Sequence, residues 1–207
     1  MVQNYAKVFI SASVLIPIPG IEAPEFINSL STVKRVKNWL LDRYELKDAL
    51  EVRIGIDHPF WDLFLTLHKH IIAGGGWVKN PEGKLLIIER KGKLDMPKGK
   101  LEKNEPIDLC AIREVEEECQ LPGCTIVGPA VKTYHCYKEN GGMILKTTYW
   151  YPMSHPGKDD LKPQKEEGIS DVYWASPKKL AKRKKKMPCY NSIEAAFKRF
   201  IEEGRLY

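Results

Sequence analysis

Four consecutive aliphatic residues, Leu85-Leu86-Ile87-Ile88, follow closely on the turn signal Asn80-Pro81-Glu82-Gly83. No other stretch limits the fold as much. A half-exposed strand alternates apolar with polar positions, whereas a strand that is apolar on both faces must be covered on both. Gly76 to Lys79 supplies the partner strand, so residues 76–88 read as a hairpin whose second strand is buried.

The rest of the chain supplies the covers. Glu105 to Cys119 reads as a helix, Val127 to Lys138 and Met143 to Met153 as a second hairpin around Glu139-Asn140-Gly141-Gly142, and Asp171 to Ala175 as a short strand. Ser176-Pro177 is a helix-start pair, and a final helix begins at Asn191 or Ser192 with Ile193, Ala196, Phe197, Phe200 and Ile201 on one apolar face. Strands and helices alternating in this way predict an α/β (α+β) fold, a mixed β-sheet sandwiched between helices, with ligands taken at loops and helix ends.

The first 70 residues predict a smaller α/β extension. Val33, Val36, Leu40 and Tyr44 recur at helical spacing, Ala49 to Asp57 resembles a strand, and Pro59 to His70 a helix that Asp57 would cap. The boundary between an extension, 1–70, and a main domain, 71–207, is drawn near His70 from Gly74, Gly75 and Gly76. A chain of 207 residues with 43% hydrophobic content suffices for one core plus such an appendage. Val8 to Pro19 is the longest apolar candidate for a membrane span, but it is short and broken by Ser11, Ser13, Pro17 and Pro19, so it reads as a strand. The expected compartment is the cytoplasm, with no membrane partner.

The five cysteines form no Cys-x-x-Cys pair and no zinc spacing, which points to reduced packing residues. Basicity is local: Lys178, Lys179, Lys182, Arg183, Lys184, Lys185 and Lys186 are seven cations, and the net charge of +6 less these seven leaves −1 elsewhere. Such a run admits two readings, a solvated helix face or a surface for RNA or polyphosphate.

On the helix, Glu114, Glu117 and Glu118 stand at i, i+3 and i+4, which brings three carboxylates to one face. That face is either solvated or balanced by a hard divalent cation with oxygen ligands, for which Mg2+ fits best and Mn2+ is the substitute. Magnesium keeps positions open for water and phosphate, so a cation there implies a phosphate-bearing ligand.

The spacing around these residues is specific. Gly99, five residues, Glu105, seven residues, Arg113-Glu114-Val115, one residue, Glu117-Glu118, one residue and Gln120-Leu121 resemble the Nudix box, and Met96-Pro97-Lys98-Gly99 resembles the family's approach to it. The resemblance runs from Ala73 to Trp174. Two positions depart from it: Gln120 stands where the family has glycine, and Leu94 where many members carry an aromatic residue. The resemblance implies a Nudix-type α/β/α sandwich and Mg2+-dependent hydrolysis of a pyrophosphate bond in a nucleoside diphosphate linked to another moiety. Dinucleoside polyphosphates lead that class. The competing readings are a nucleoside triphosphate, an RNA 5′ end, and a non-catalytic nucleotide sensor or nucleic-acid binder.

It also implies roles. Glu114, Glu117 and Glu118 would bind the metal with the Gly99 backbone, and Arg113 would orient a carboxylate. Glu105 would pair with Arg113, or else be a first-turn acid favoured by the helix dipole. The general base would be Glu117 or a glutamate of the later loop, Glu166 or Glu167, with Glu167 preferred. Arg90 and Lys98 flank the expected phosphate track. Tyr137 lies sixteen residues beyond Leu121, where diadenosine-polyphosphate hydrolases of the family place a tyrosine, and is otherwise a core residue. Tyr134 would face the opposite side of that strand. Tyr149, Trp150 and Tyr151 read as core, His135 as structural. The extension would serve substrate choice or a homodimer.

Overall fold

The computed structural model of the protein describes residues 5–10, 34, 37, 38, 50–55, 59–157 and 160–203. Of the helix expected around Val33 to Tyr44 only residues 34, 37 and 38 are among them, each helical; most of the strand expected over 8–19 and the Asp57 cap lie outside them. The chain forms two compact units, Met1–Ile71 with Thr133–Thr147 and Ile72–Lys132 with Thr148–Tyr207.

In the first unit, β1 (Tyr5–Ile10) pairs antiparallel with β2 (Leu50–Gly55), from Tyr5 opposite Gly55 to Ile10 opposite Leu50. β1 also runs parallel to β8 (Val131–Glu139), with Val8 opposite Tyr134, so the pairing is mixed. Helix α1 (Pro59–Thr66) is shorter than the expected 59–70. Its last turn is tied off locally: Thr66 Oγ1 donates to the Leu63 carbonyl at 2.8 Å and His68 N to Leu65 O at 3.2 Å. The His68 ring nitrogen bonds Phe64 O at 2.6 Å. With those carbonyls satisfied the chain leaves the helix and enters β3 (Lys69–Lys79).

The second unit holds the sandwich. β4 (Leu85–Arg90) lies between β3 and β10 (Ile169–Ala175), and β3 has β9 (Gly142–Ser154) on its other side. The short strands β5 (Lys93–Asp95), β6 (Lys98–Lys100) and β7 (Thr125–Ile126) pair with β4, β3 and β9. Helix α2 (Ile107–Cys119) covers one face; α3 (Pro177–Lys184) and α4 (Asn191–Glu203) cover the other.

The apolar run explains the two covers. Leu85 and Ile87 join Trp77, Leu180, Ile193, Phe197 and Phe200, whereas Leu86 and Ile88 join Val78, Ala111, Val115 and Cys119. All four run residues are fully buried, and each contributes about 1.5–3 kcal/mol by leaving water. Gly74 and Gly76, from which the sequence boundary is drawn, lie inside β3 and form a seat for α2. A Cβ on Gly74 would fall 2.7 Å from the Ala111 nitrogen, and one on Gly76 2.5 Å from Val115 Cγ2.

Smaller expectations were also adjusted. Residues 127–130 form no strand; β8 starts at Val131, beyond Pro129. The hairpin turn uses Asn140 at φ 50° and Gly141 at φ 77°. Ser176 caps α3, its side chain accepting from Lys179 N at 3.2 Å. All five cysteines are free and buried. Among the described residues no helix is long and apolar enough to cross a membrane.

Candidate active site

Helix α2 buries Cys110, Ala111, Val115, Glu118 and Cys119. Glu118 therefore shares the packed face with the apolar residues, and at 1% exposure it needs partners. It has two: Lys98 N donates to Oε2 at 2.8 Å, and Arg90 Nη1 reaches Oε1 at 3.4 Å. Burial still dominates and pushes its carboxyl up to about 7 against the opposing pull of Lys98 and Arg90. Burial also raises Glu114, which Arg113 partly offsets.

Arg113 organises the exposed side of the cluster. Nε and Nη2 form a fork onto Glu105 at 2.7 and 3.0 Å, Nη1 donates to Glu114 at 2.8 Å and Glu117 at 2.9 Å, and Nη2 also reaches the Lys100 carbonyl at 3.1 Å. Glu105 lies just before Pro106, the α2 N-cap, and so is outside the helix expected to contain it. Its fork with Arg113, rather than a place in the first turn, holds its carboxyl down at about 2. The guanidinium is raised in turn, chiefly by Glu105.

Gly99 is required by Glu114. A Cβ there would lie 1.9 Å from Glu114 Oε2, so the carboxylate occupies space that any other residue would fill. Lys98 Nζ pairs with Asp95 at 2.5 Å, and Asp95 also accepts from Met96 N at 2.9 Å. Burial alone would lower the ammonium's pKa, but Asp95 and Glu118 together raise it. Asp95 was missed from the sequence. Its position three residues before Lys98 was the available signal, obscured because strand residues at that spacing need not meet.

The later loop docks on the end of α2. Lys162 N donates to Cys119 O and Gln164 N to Glu118 O, both at 3.1 Å, satisfying carbonyls that the helix leaves open. A 3-10 turn, Lys165–Glu167, follows, and Glu167 meets Arg90 through its carboxylate at 2.6 Å and its carbonyl at 3.0 Å. Glu166 is exposed.

The structure thus brings together Arg90, Lys98, Gly99, Glu105, Arg113, Glu114, Glu117, Glu118 and Glu167. Tyr137 belongs to the other unit, on β8, with its ring 5.5 Å from that of His135. Leu94, where an aromatic residue was absent, is fully buried and packs in the α3/α4 core.

The cluster fits a divalent cation by charge and donor type. Six carboxyl groups (Asp95, Glu105, Glu114, Glu117, Glu118, Glu167) face three cations (Arg90, Lys98, Arg113), an excess of three negative charges when all six are ionised. All the available donors are hard oxygens. Among the described residues no three His, Cys, Asp or Glu side chains converge as a cage. Arg113 occupies oxygens of Glu114 and Glu117, and Arg90 those of Glu118 and Glu167, and magnesium in any case favours a few carboxylates with water and phosphate over a closed protein cage.

No curated protein matches the chain. Among solved structures, a MutT protein from Methanosarcina mazei Go1 is 20% identical, with 66% of this chain and 94% of that one covered and a TM-score of 0.44. A Caenorhabditis elegans Ap4A hydrolase is 19% identical over 63% and 94%, TM-score 0.46. The Escherichia coli dihydroneopterin triphosphate pyrophosphohydrolase is 15% identical over 63% and 94%, TM-score 0.47. The NUDIX domain model matches residues 69–197, more than half of the chain and the whole of the carboxylate cluster. With that match, the chain belongs to the Nudix family of pyrophosphohydrolases.

Proposed function

We propose that residues 71–207 form a Mg2+-dependent hydrolase, located in the cytoplasm, that cuts the pyrophosphate bond of a nucleoside diphosphate linked to another moiety, with dinucleoside polyphosphates as the leading substrates. The observation that carries this is that Glu114 fills the space a Cβ on Gly99 would take, while Arg113 ties Glu114 to Glu117 and the Lys98 N–H, next to Gly99, holds Glu118. These three side chains and the Gly99 carbonyl would hold the cation. When bound, it polarises phosphoryl oxygens and lowers the pKa of a coordinated water.

The other residues prepare the site. Arg113 is anchored on Glu105 by a two-point fork and donates to Glu114 and Glu117 at the same time. It keeps their oxygens oriented in one region and limits their mutual repulsion. Lys98 presents its backbone N–H to Glu118 while Asp95 holds its ammonium. Glu167 comes from a separate element, so as general base it leaves all three α2 carboxylates free to be ligands; Glu117 is the competing base. Proton removal by the base lets a water oxygen add at one phosphorus while the bridging P–O bond to the other breaks, so the two halves leave as separate terminal phosphates.

The test is a magnesium-supplemented hydrolysis screen over four substrate types: dinucleoside polyphosphates, nucleoside diphosphate derivatives, nucleoside triphosphates and 5′-triphosphorylated RNA. Glu117→Gln is run beside the unaltered protein. Cleavage of the first two types at a pyrophosphate bond, weakened in the variant, is expected. Equal turnover of every compound by both proteins would overturn the catalytic assignment.

A further inference from the structure

Arg90 was expected to stand on the phosphate track with Lys98, yet every one of its guanidinium nitrogens is already engaged by protein. Nε donates to the Glu167 carbonyl at 3.0 Å, Nη2 to the Glu167 carboxylate at 2.6 Å, and Nη1 approaches Glu118 Oε1 at 3.4 Å. We propose that Arg90 is a positioning residue, which sets the place of Glu167 and restrains Glu118, and is not a contact for substrate phosphate. The proposal rests on the reading of Glu167 as general base.

The two partners differ in how firmly the fold fixes them. Arg90 ends β4 opposite Ile169 of β10 and its side chain is 19% exposed, whereas Glu167 lies on a single 3-10 turn with its side chain 51% exposed. The turn's backbone is closed by Gly168 N on Lys165 O at 2.9 Å and held to β4 by Lys91 N on Gly168 O at 3.1 Å. Neither bond orients the Glu167 carboxylate. Arg90 does, since it binds backbone and side chain of the same residue and so removes rotamers that an exposed glutamate would otherwise populate.

Charge points the same way. Glu167 and Glu118 are both bound to one cation. Without that cation the two carboxylates repel, and the exposed one is free to swing away. A lysine retains the charge but offers one point in place of a planar fork, so it can keep one Glu167 contact and not both.

The experiment measures kcat and KM for Arg90→Gln, Arg90→Lys, Glu167→Gln and the double variant Arg90→Gln/Glu167→Gln, with a dinucleoside polyphosphate as substrate. Amide hydrogen exchange over residues 164–168 is followed in parallel. Loss of base placement predicts a kcat about 10²-fold lower in Arg90→Gln, with an intermediate loss in Arg90→Lys. KM should stay within about threefold, because no ground-state phosphate contact is removed. The double variant should be no slower than Glu167→Gln, since Arg90 acts through that residue. A raised KM with kcat intact, or losses that multiply in the double variant, would overturn the proposal in favour of a phosphate contact. Absence of hydrolysis in the unaltered protein would count against the proposed function and leave the tether to the exchange measurement. Faster exchange over 164–168 in Arg90→Gln supports it, and unchanged exchange overturns it.

Discussion

Gly99 and Glu114 compete for one volume, and the outcome of a substitution turns on which can yield. The backbone at Gly99 is held by β6, opposite Gly74 of β3, whereas Glu114 is a side chain held by Arg113. In Gly99→Ala the carboxylate is the part that moves. The stability loss is expected to stay at about 1–3 kcal/mol, the usual cost of overpacking. Turnover should drop about 10²-fold, because a ligand is displaced by roughly an ångström. Unfolding midpoints and kcat measured on the same preparation check both parts, and full activity in the variant would remove Glu114 from the metal site.

Glu105 makes a different kind of prediction, since its contribution depends on pH. Its carboxyl is held down from the usual 4.5 to about 2, first by the Arg113 fork. A depressed carboxyl stabilises the fold fully above about 4.5, and the contribution is lost as pH falls toward 2. Glu105→Gln should therefore be less stable than the unaltered protein at neutral pH, and the difference should close between pH 4.5 and 2. Denaturant titrations at several pH values test this. A gap that stays constant on acidification would mean the glutamate acts by packing and not by its charge.

At the scale of elements, α2 ends on a residue that its conformation does not favour. Gln120 adopts φ 49° and ψ 45°, the left-handed region where glycine pays no steric cost. Gln120→Gly should raise stability by about 1 kcal/mol, the order of the left-handed penalty for a residue with a side chain. For a chain of this size that is a midpoint gain of roughly 2–4 °C by calorimetry. An unchanged or lowered midpoint would show that the Lys162 and Gln164 bonds to the same helix end already offset the strain. The box made this legible: the position where Gln120 replaces glycine is the one where the chain turns left-handed. The run 85–88 was legible for a related reason, since no polar residue marks a wet face and both faces proved buried. What could not be read was the seat of α2 in β3, because Gly74, Gly75 and Gly76 signal close approach and chain flexibility in the same letters. Arg90 and Asp95 were hidden likewise, since their partners come from elsewhere in the fold.

Across the second unit, the faces of the sheet separate the carboxylate cluster from the basic run. Along β4, Glu89 binds Arg183 of α3 and the hydroxyl of Tyr173, while the next residue, Arg90, turns to Glu118 of α2. The seven cations of 178–186 are thereby divided. Arg183 bonds Glu89, Lys184 bonds Glu194, and Lys179 reaches the Trp174 carbonyl at 3.2 Å, whereas Lys178, Lys182, Lys185 and Lys186 are exposed. Lys178 and Lys182 ride on α3, and Lys185 and Lys186 on the turn after it, on the face opposite α2, which is a poor route for delivering an RNA 5′ end to Glu118. Replacing Lys178, Lys182, Lys185 and Lys186 with glutamine should weaken salt-sensitive retention of a labelled RNA by the protein. It should leave kcat/KM unchanged within about twofold for a dinucleoside polyphosphate and for a 5′-triphosphorylated RNA alike. A selective loss on the RNA substrate would show that the strand crosses from one face to the other, and would move the proposed substrate from small nucleotides to RNA ends.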